Sequence, residues 1–206
     1  MTLRDYHWRH SYATSDLRTA GPVVDILRDF YIPALQRTTH YDRVAGYFRS
    51  SSLATASQGF SSFVRRGGRA RFVVGMDVAP DDVAAILDGD RQRLEEHLLD
   101  ELEPDSNWPD GQRHGVELLA WMVANGHLQI RVGLRVDQND GAPRALDYAG
   151  DGYLHEKWAL LGDGQDALFV SGSLNESRAA FAINAENITV DVSWDERCAP
   201  TFAQKC

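Results

Sequence analysis

Two residues that can carry phosphoryl chemistry stand close together in the stretch from 153 to 163. His155 and Lys157 are two positions apart in an apolar run that favours β-structure. Side chains at positions i and i+2 of a strand point to the same face, so the imidazole and the ammonium group are expected to project together. An imidazole can act as a nucleophile, and a neighbouring cation can stabilise negative charge on a phosphate.

A second apolar run follows at 167–170 and ends in a glycine turn with polar residues at its exit. Ser173 and Asn175 come directly after Gly172 in this turn. If the two runs are neighbouring strands, these side chains converge with His155 at one edge of the sheet. A nucleophile, a cation and two neutral hydrogen-bonding groups are a suitable set for a phosphodiester substrate.

The types and spacing of these residues resemble the HKD motif of the phospholipase D superfamily. The matching pattern is His155-x-Lys157 followed by Gly172-Ser173-x-Asn175. The sequence contains one complete copy of this pattern, whereas the family site is built from two.

Two acidic residues complete the comparison with the family pattern. The family motif has an Asp five positions after the Lys, where this chain has Gly162, and Asp163 follows one position later. Asp163 and Gly172 are therefore secondary site candidates. Glu186 stands eleven positions after Asn175, close to where family members carry an acid that hydrogen-bonds the catalytic His.

The resemblance implies a role for each motif residue. His155 would form a phosphohistidine, and Glu186 would bond its far ring nitrogen and fix the tautomer. Lys157 and Asn175 would hold the non-bridging phosphate oxygens, with Ser173 as a further hydroxyl donor. Because the family site needs two motifs, the resemblance implies a homodimer in which each chain supplies one. No metal and no other cofactor is implied, since cations are already in place.

Further stretches resemble the HKD-nuclease domain that precedes helicase motors in bacterial phage-defence and restriction systems. They are 41–48, 118–122 and 184–187, and the resemblance spans roughly residues 20 to 195. It implies an α/β fold, phospholipase D-like, in which a mixed β-sheet is flanked by helices on both faces. It also implies DNA as the substrate and a helicase motor, in the same or a neighbouring chain, as a partner.

The composition is that of a soluble globular protein. Hydrophobic residues make up 43% of the 206 residues, which is enough for a core, and no apolar run approaches the length of a membrane span. We expect an N-terminal extension at 1–20, one domain at 21–195, and a tail or linker start at 196–206. Cys198 and Cys206 lie too near the end of the sequence to form a disulfide that crosslinks the core. We therefore expect a reducing compartment, the cytoplasm.

The net charge of −9 opposes a nucleic-acid function, because non-specific binding depends on Lys and Arg neutralising phosphates. A local basic surface, a second copy or a separate motor domain is then needed to hold a strand. The stretch 65–71 supplies Arg66 and Arg69, although it equally suits a solvated turn. Ser50, at the expected start of a helix, is a phosphate-binding candidate whose simpler role is capping.

Hydrophobic periodicity predicts alternating helices and strands, an order typical of α/β layering. Helices are expected at 22–35, 50–64 and 112–125, and strands at 41–49, 70–75, 127–134 and 188–194, in addition to the two motif strands. Pro33 is expected to end or kink the first helix.

Three functions are consistent with these patterns. The first is a metal-independent nuclease or phosphodiesterase that acts on DNA. The second is a nucleic-acid-binding or dimerisation module that keeps the fold without turnover, which would explain the displaced Asp163. The third, a lipid phosphodiesterase, is opposed by the acidic composition and by the lack of a basic amphipathic helix.

Overall fold

The structure, a computed structural model, describes residues 1–14, 24–46, 56–75, 121–133, 136–137, 139–142, 154–174 and 186–205. Within these residues seven β-strands form one sheet. The strands are β1 (Ser11–Ala13), β2 (His40–Ala45), β3 (Arg69–Val74), β4 (Leu128–Val132), β5 (Trp158–Gly162), β6 (Ala167–Gly172) and β7 (Asn187–Val192). Their order across the sheet is β1-β7-β6-β5-β2-β3-β4.

The helical segments that the structure describes are short. They are a π-helix (Leu27–Tyr31) that runs into α1 (Ile32–Leu35), then α2 (Ser57–Arg65) and α3 (Ala199–Lys205), with 3-10 turns at Leu3–Asp5 and Glu196–Cys198. Residues 121–124 are also helical. Among the described residues, no helix has both the length and the apolar character needed to cross a membrane.

The sheet is mixed, as the sequence predicts. β2, β3 and β4 run parallel to one another, and the other neighbouring pairs run antiparallel. The two motif strands β5 and β6 pair directly, with Trp158 opposite Ser171 and Gly162 opposite Ala167. The predicted α/β class and the predicted pairing of the motif strands are therefore confirmed.

Both faces of the sheet are covered at β6. Leu168, Phe169 and Val170 are consecutive and all buried, although neighbouring residues of a strand point to opposite faces. On the face that carries the main core, the buried rings of Tyr41 and Phe72 pack edge to face with their centroids 5.2 Å apart. The sheet is thus an inner layer at this strand, as expected for an α/β fold.

A proline distorts the first helix without ending it. Pro33 lies in α1, where its ring crowds the carbonyl four residues earlier and cannot supply that carbonyl with an N–H donor. The chain widens into the π-helix just before the proline, and the Tyr6 hydroxyl donates to the Asp29 carbonyl at 3.1 Å. Pro33 therefore does not end the helix, which continues to Leu35 after the π-helical turn.

The N-terminal residues contribute to the core, whereas the sequence predicts an extension over 1–20. β1 pairs antiparallel with β7, and Leu3 and Tyr12 are buried in the main cluster. A strand of three residues is too short for its periodicity to be recognised in the sequence. At the other terminus, the segment predicted as a tail at 196–206 contains α3.

Asp163 caps the turn between β5 and β6. Its carboxylate accepts hydrogen bonds from the backbone N–H groups of Gln165, Asp166 and Leu3 at 3.0, 2.8 and 3.0 Å. Burial raises the pKa of this carboxyl, but the backbone donors together outweigh burial and hold the pKa below its ordinary value. Asp163 therefore joins the N-terminal turn to the β5–β6 turn.

Asp163→Ala is expected to lower the free energy of unfolding by about 1–3 kcal/mol, because three backbone N–H groups, two of them part-buried, lose their acceptor. The depressed pKa of Asp163 means that its charge stabilises the fold above the unfolded pKa near 3.8. That contribution is lost as the pH falls through the folded pKa. Urea unfolding between pH 7 and about pH 3 should show the difference between wild type and variant narrowing toward acid. A constant difference would contradict this role of the carboxylate.

Candidate active site

His155 and Lys157 contact each other in the segment that leads into β5. The Lys157 Nζ atom lies 3.4 Å from each ring nitrogen of His155, and it donates to the His155 carbonyl oxygen at 2.9 Å. β5 begins only at Trp158, so the prediction that both residues lie inside the strand is wrong, although their side chains do meet. His155 is exposed and Lys157 is half-buried, so solvent reaches an imidazole that has a cation beside it.

The backbone of Leu154 and His155 passes very close to Gly46 and Gly75, and the Leu154 side chain packs on Gly133. A Cβ atom at Gly46 would lie 2.8 Å from the Leu154 carbonyl oxygen and 3.1 Å from the His155 Cα. At Gly75 the added atom would lie 3.0 Å from the same oxygen, and at Gly133 it would lie 2.9 Å from the Leu154 Cδ2. These distances are shorter than ordinary van der Waals contacts, so the absence of side chains makes room for the crossing.

The three glycines follow the ends of the parallel strands β2, β3 and β4. Two of them still take part in the hydrogen-bond ladder: Gly75 N–H donates to the Ala45 carbonyl at 3.0 Å, and Gly133 N–H donates to the Val74 carbonyl at 2.9 Å. Because parallel strands share one carboxyl edge, the glycines form a row without side chains. This row sets how closely the His155 backbone approaches the sheet.

Ser173 lies at the exit of β6 and is joined to Glu186. The Ser173 hydroxyl donates to the Glu186 Oε2 atom, and the Ser173 N–H donates to the Asn187 carbonyl at 3.0 Å. Gly172 has a φ of +154°, and a Cβ atom there would collide with the Asn187 carbonyl and lie 2.9 Å from the Ile188 Cα. Gly172 therefore allows β6 to approach β7 so closely that Ser173 reaches the acid.

Glu186 is a buried acid, with 7% of its surface exposed. Its backbone N–H donates to the Thr14 hydroxyl at 2.8 Å, and its carbonyl accepts from the Thr14 N–H at 2.9 Å. The acid is thus anchored to the segment that follows β1 as well as to Ser173. The predicted hydrogen bond from Glu186 to the His155 ring stays a prediction.

Charges of both signs act on Lys157. Burial lowers the pKa of its ammonium group most, the positive charge of Arg43 lowers it further, and the negative charge of Glu186 opposes both. The two motif strands also meet here, since the Gly172 N–H donates to the Lys157 carbonyl at 3.4 Å. The structure thus brings His155, Lys157, Ser173 and Glu186 to one end of the sheet.

Arg43 is a site residue that the sequence reasoning did not select. It belongs to β2, is only 3% exposed, and donates from Nη2 to the Leu174 carbonyl at 2.6 Å. A signal for it exists in the sequence, because Arg43 alternates with the apolar Tyr41 and Ala45 on one strand face. A charged residue at an inward strand position requires a buried partner.

Two basic residues predicted to bind substrate lie at the opposite end of the sheet. Arg69 begins β3, whereas the far end of β3 adjoins the glycine crossing. Six residues of extended chain separate these ends by about 20 Å. Arg66 is exposed and precedes Arg69, so the structure brings neither side chain next to His155.

The remaining predicted residues are Asp163, Asn175 and Ser50. Asp163 follows β5 and caps its far turn, so the length of the strand separates it from Lys157. Asn175 and Ser50 lie outside the described residues, and their predicted roles stay predictions.

Among the comparisons with known proteins, the search of solved structures finds chains that are similar to this one. No protein-family model matches the sequence, and no curated protein matches it. The chain is similar to NucT from Helicobacter pylori at 14% identity and a TM-score of 0.46, over 87% of this chain and 88% of that one. It is similar to Nuc from Salmonella typhimurium, a phospholipase D family member, at 14% identity and a TM-score of 0.44, over 86% and 82%. It is also similar to a phosphatidylserine synthase from Haemophilus influenzae at 14% identity and a TM-score of 0.48, over 86% and 34%.

Gly46→Ala is expected to displace the Leu154–His155 backbone and to lower the free energy of unfolding by about 1–3 kcal/mol, the range for overpacking. Urea unfolding and the NMR signals of the His155 ring measure these two effects. The matched control is Gly162→Ala, where the added Cβ would lie an ordinary 3.6 Å from the Asp166 carbonyl oxygen. Equal behaviour of the two variants would mean that the crossing is not tightly packed.

Proposed function

We propose that this protein is a metal-independent phosphodiesterase that cleaves DNA through a phosphohistidine intermediate. The observation that carries the proposal is the contact between the exposed His155 ring and the Lys157 ammonium, 3.4 Å from both ring nitrogens. A nucleophile with a cation at this distance can attack phosphorus while the cation neutralises the phosphate oxygens. The close backbone crossing over Gly46 and Gly75 supports the proposal, because catalysis needs a nucleophile in a fixed place.

In the proposed first step, a ring nitrogen of His155 attacks the phosphorus of a phosphodiester. A nitrogen–phosphorus bond forms, the bond from phosphorus to the leaving oxygen breaks, and that oxygen takes a proton. Lys157 holds the non-bridging oxygens as their negative charge grows, with Asn175 as the predicted second donor. Glu186 is the acid that the resemblance assigns to orienting the imidazole. It accepts a hydrogen bond from the Ser173 hydroxyl.

The first step needs a general acid for the leaving oxygen and the second needs a general base for the water, and one chain with one motif does not supply this group. In the proposal the site lies on a two-fold axis between two copies. His155 of the partner subunit gives its proton to the leaving oxygen. It then takes a proton from the water that attacks phosphorus and releases His155. An imidazole suits both tasks because its ordinary pKa lies near neutral pH.

The proposed substrate is a polyanion, and exposed arginines support this. Arg65, Arg66 and Arg69 are exposed at the end of the sheet opposite the site. The distance of about 20 Å along β3 corresponds to roughly six nucleotide steps of 3.4 Å. A strand engaged at His155 would thus extend to these side chains, which offset part of the net charge of −9. The proposed setting is cytoplasmic phage defence or restriction beside a helicase motor, and it rests on the sequence resemblance.

Cleavage of DNA by the wild-type protein is expected to persist in EDTA, because the proposed nucleophile and cations are side chains. His155→Ala should lower the cleavage rate at least about 1,000-fold. When catalytic residues act as a unit, removing one of them loses most of the rate enhancement. An assay with labelled single- and double-stranded oligonucleotides measures both effects, and trapping of acid-labile phosphate on the protein reports the intermediate.

His40→Ala is the matched control for His155→Ala, because His40 is an exposed imidazole at the opposite end of β2. It should cleave like the wild type. Full activity of His155→Ala would reject the proposed chemistry. Binding of the strand by wild-type protein without any product would instead identify a binding module, and release of headgroups from phospholipid vesicles would identify a lipid phosphodiesterase.

The shared site predicts that the active species has twice the mass of the chain. Sedimentation velocity across a dilution series, run beside the metal-free assay, should show specific activity falling as the dimer dissociates. A monomer that cleaves at full rate would contradict the role of the partner subunit's His155.

A further inference from the structure

An arginine lies buried in the sheet beneath the candidate site. Arg43 shares a face of β2 with Tyr41 and Ala45, both of which are fully buried. In the register of β2 with β5, Arg43 stands opposite Ala159, two residues after Lys157 along the chain. Its side chain therefore lies on the same face of the sheet as Ala159.

The Arg43 guanidinium ties two parts of the site together. Its Nη2 atom donates to the Leu174 carbonyl at 2.6 Å, a charge-assisted bond to buried backbone. Leu174 directly follows Ser173, whose hydroxyl donates to Glu186. Through one hydrogen bond Arg43 thus holds the turn after β6 against β2, a strand two places away in the sheet order.

The same guanidinium contributes to the electrostatics of Lys157. Among the described residues, the His155 ring contacts the Lys157 ammonium, and the charges of Arg43 from β2 and Glu186 ahead of β7 act on its pKa. After burial, the positive charge of Arg43 is the next cause that lowers the pKa of Lys157, and Glu186 acts in the opposite direction. The residue that bonds the Leu174 carbonyl is therefore also the residue whose charge lowers the pKa of Lys157.

We propose that Arg43 is a positioning residue of this site, which holds the Ser173–Leu174 turn through the Leu174 carbonyl and keeps a positive charge near Lys157. Its effect on catalysis rests on the proposed phosphodiesterase function, whereas its effect on Lys157 does not. Arg43 acts through its neighbours and makes no contact with the substrate in this proposal.

The composition of the chain permits a direct test. The sequence contains two lysines, Lys157 and Lys205, so in a Lys205→Arg background Lys157 is the sole lysine. Labelling lysine with ¹³C at Cε then yields one side-chain signal, whose pH titration reports the pKa of Lys157 in the intact protein. This readout needs no enzymatic activity.

In that background, Arg43→Met should move the Lys157 titration to higher pH, because a repelling charge is removed. Arg43→Lys, which keeps the charge, should leave the titration near the wild-type position. DNA cleavage by Arg43→Met should fall at least about tenfold through loss of the turn's position, with the alkaline limb of its pH profile displaced to higher pH like the lysine titration. Arg43→Lys should recover part of the rate.

Arg71→Met is the matched control, since it removes the same charge from the neighbouring strand. Arg71 is exposed and pairs with Asp42 at 2.6 Å, and Asp42 lies on the face opposite to Arg43. The Lys157 titration should not change in this variant. Arg43→Gln keeps an N–H donor without the charge, and it carries the same titration test if Arg43→Met does not fold.

An unchanged Lys157 titration in both uncharged variants would overturn the inference, as would an equal change in Arg71→Met. A wild-type protein that cleaves no phosphodiester would count against the proposed function alone, because the lysine titration would still decide whether Arg43 acts on Lys157. Equal cleavage rates for wild type and Arg43→Met, with cleavage intact, would overturn the positioning role.

Discussion

The site depends on one close approach between two pieces of backbone. The chain at Leu154 and His155 crosses the carboxyl ends of three parallel strands at a distance that leaves no room for a side chain at Gly46, Gly75 or Gly133. Since the imidazole projects from this crossing, its height above the sheet is set by van der Waals contact between main-chain atoms. The contacts at Gly46 and Gly75 are stiff, because they include main-chain atoms that no side-chain rotation can relieve, whereas the contact at Gly133 is made by the Leu154 side chain.

Buried charge is the second constraint, and it follows from the first. Once the chain crosses the strand ends, Lys157 lies half-buried beside a site that also contains Arg43 and Glu186, both almost fully buried. Burying one of these charges alone would be very costly, so each must have a partner or a compensating neighbour. Arg43 meets the Leu174 carbonyl and Glu186 meets Ser173, and these bonds connect β2, the exit of β6 and the segment ahead of β7.

Local electrostatics at the site therefore differ from the electrostatics of the whole chain. The net charge of −9 is spread over 206 residues, and salt screens exposed charges beyond about 8–10 Å. The groups identified around Lys157 are a guanidinium and one carboxylate that act on its pKa, together with the imidazole that contacts it. An acidic protein can thus present a cationic centre, because burial protects the local charges from screening while the distant ones are screened.

The sequence alone determined the class of the fold and selected the candidate residues of the site. The spacing of His155 and Lys157, and the pairing of two apolar runs that end near Ser173, follow from local periodicity, and both groups do meet. What only the tertiary structure decided are contacts between residues far apart in the chain. Arg43 bonds the Leu174 carbonyl, and three glycines lie under Leu154 and His155. The Asp163 carboxylate, in the turn after β5, accepts from the Leu3 N–H. Periodicity carries no information on such contacts, because they depend on strand order and register, which are set by the packing of the whole sheet.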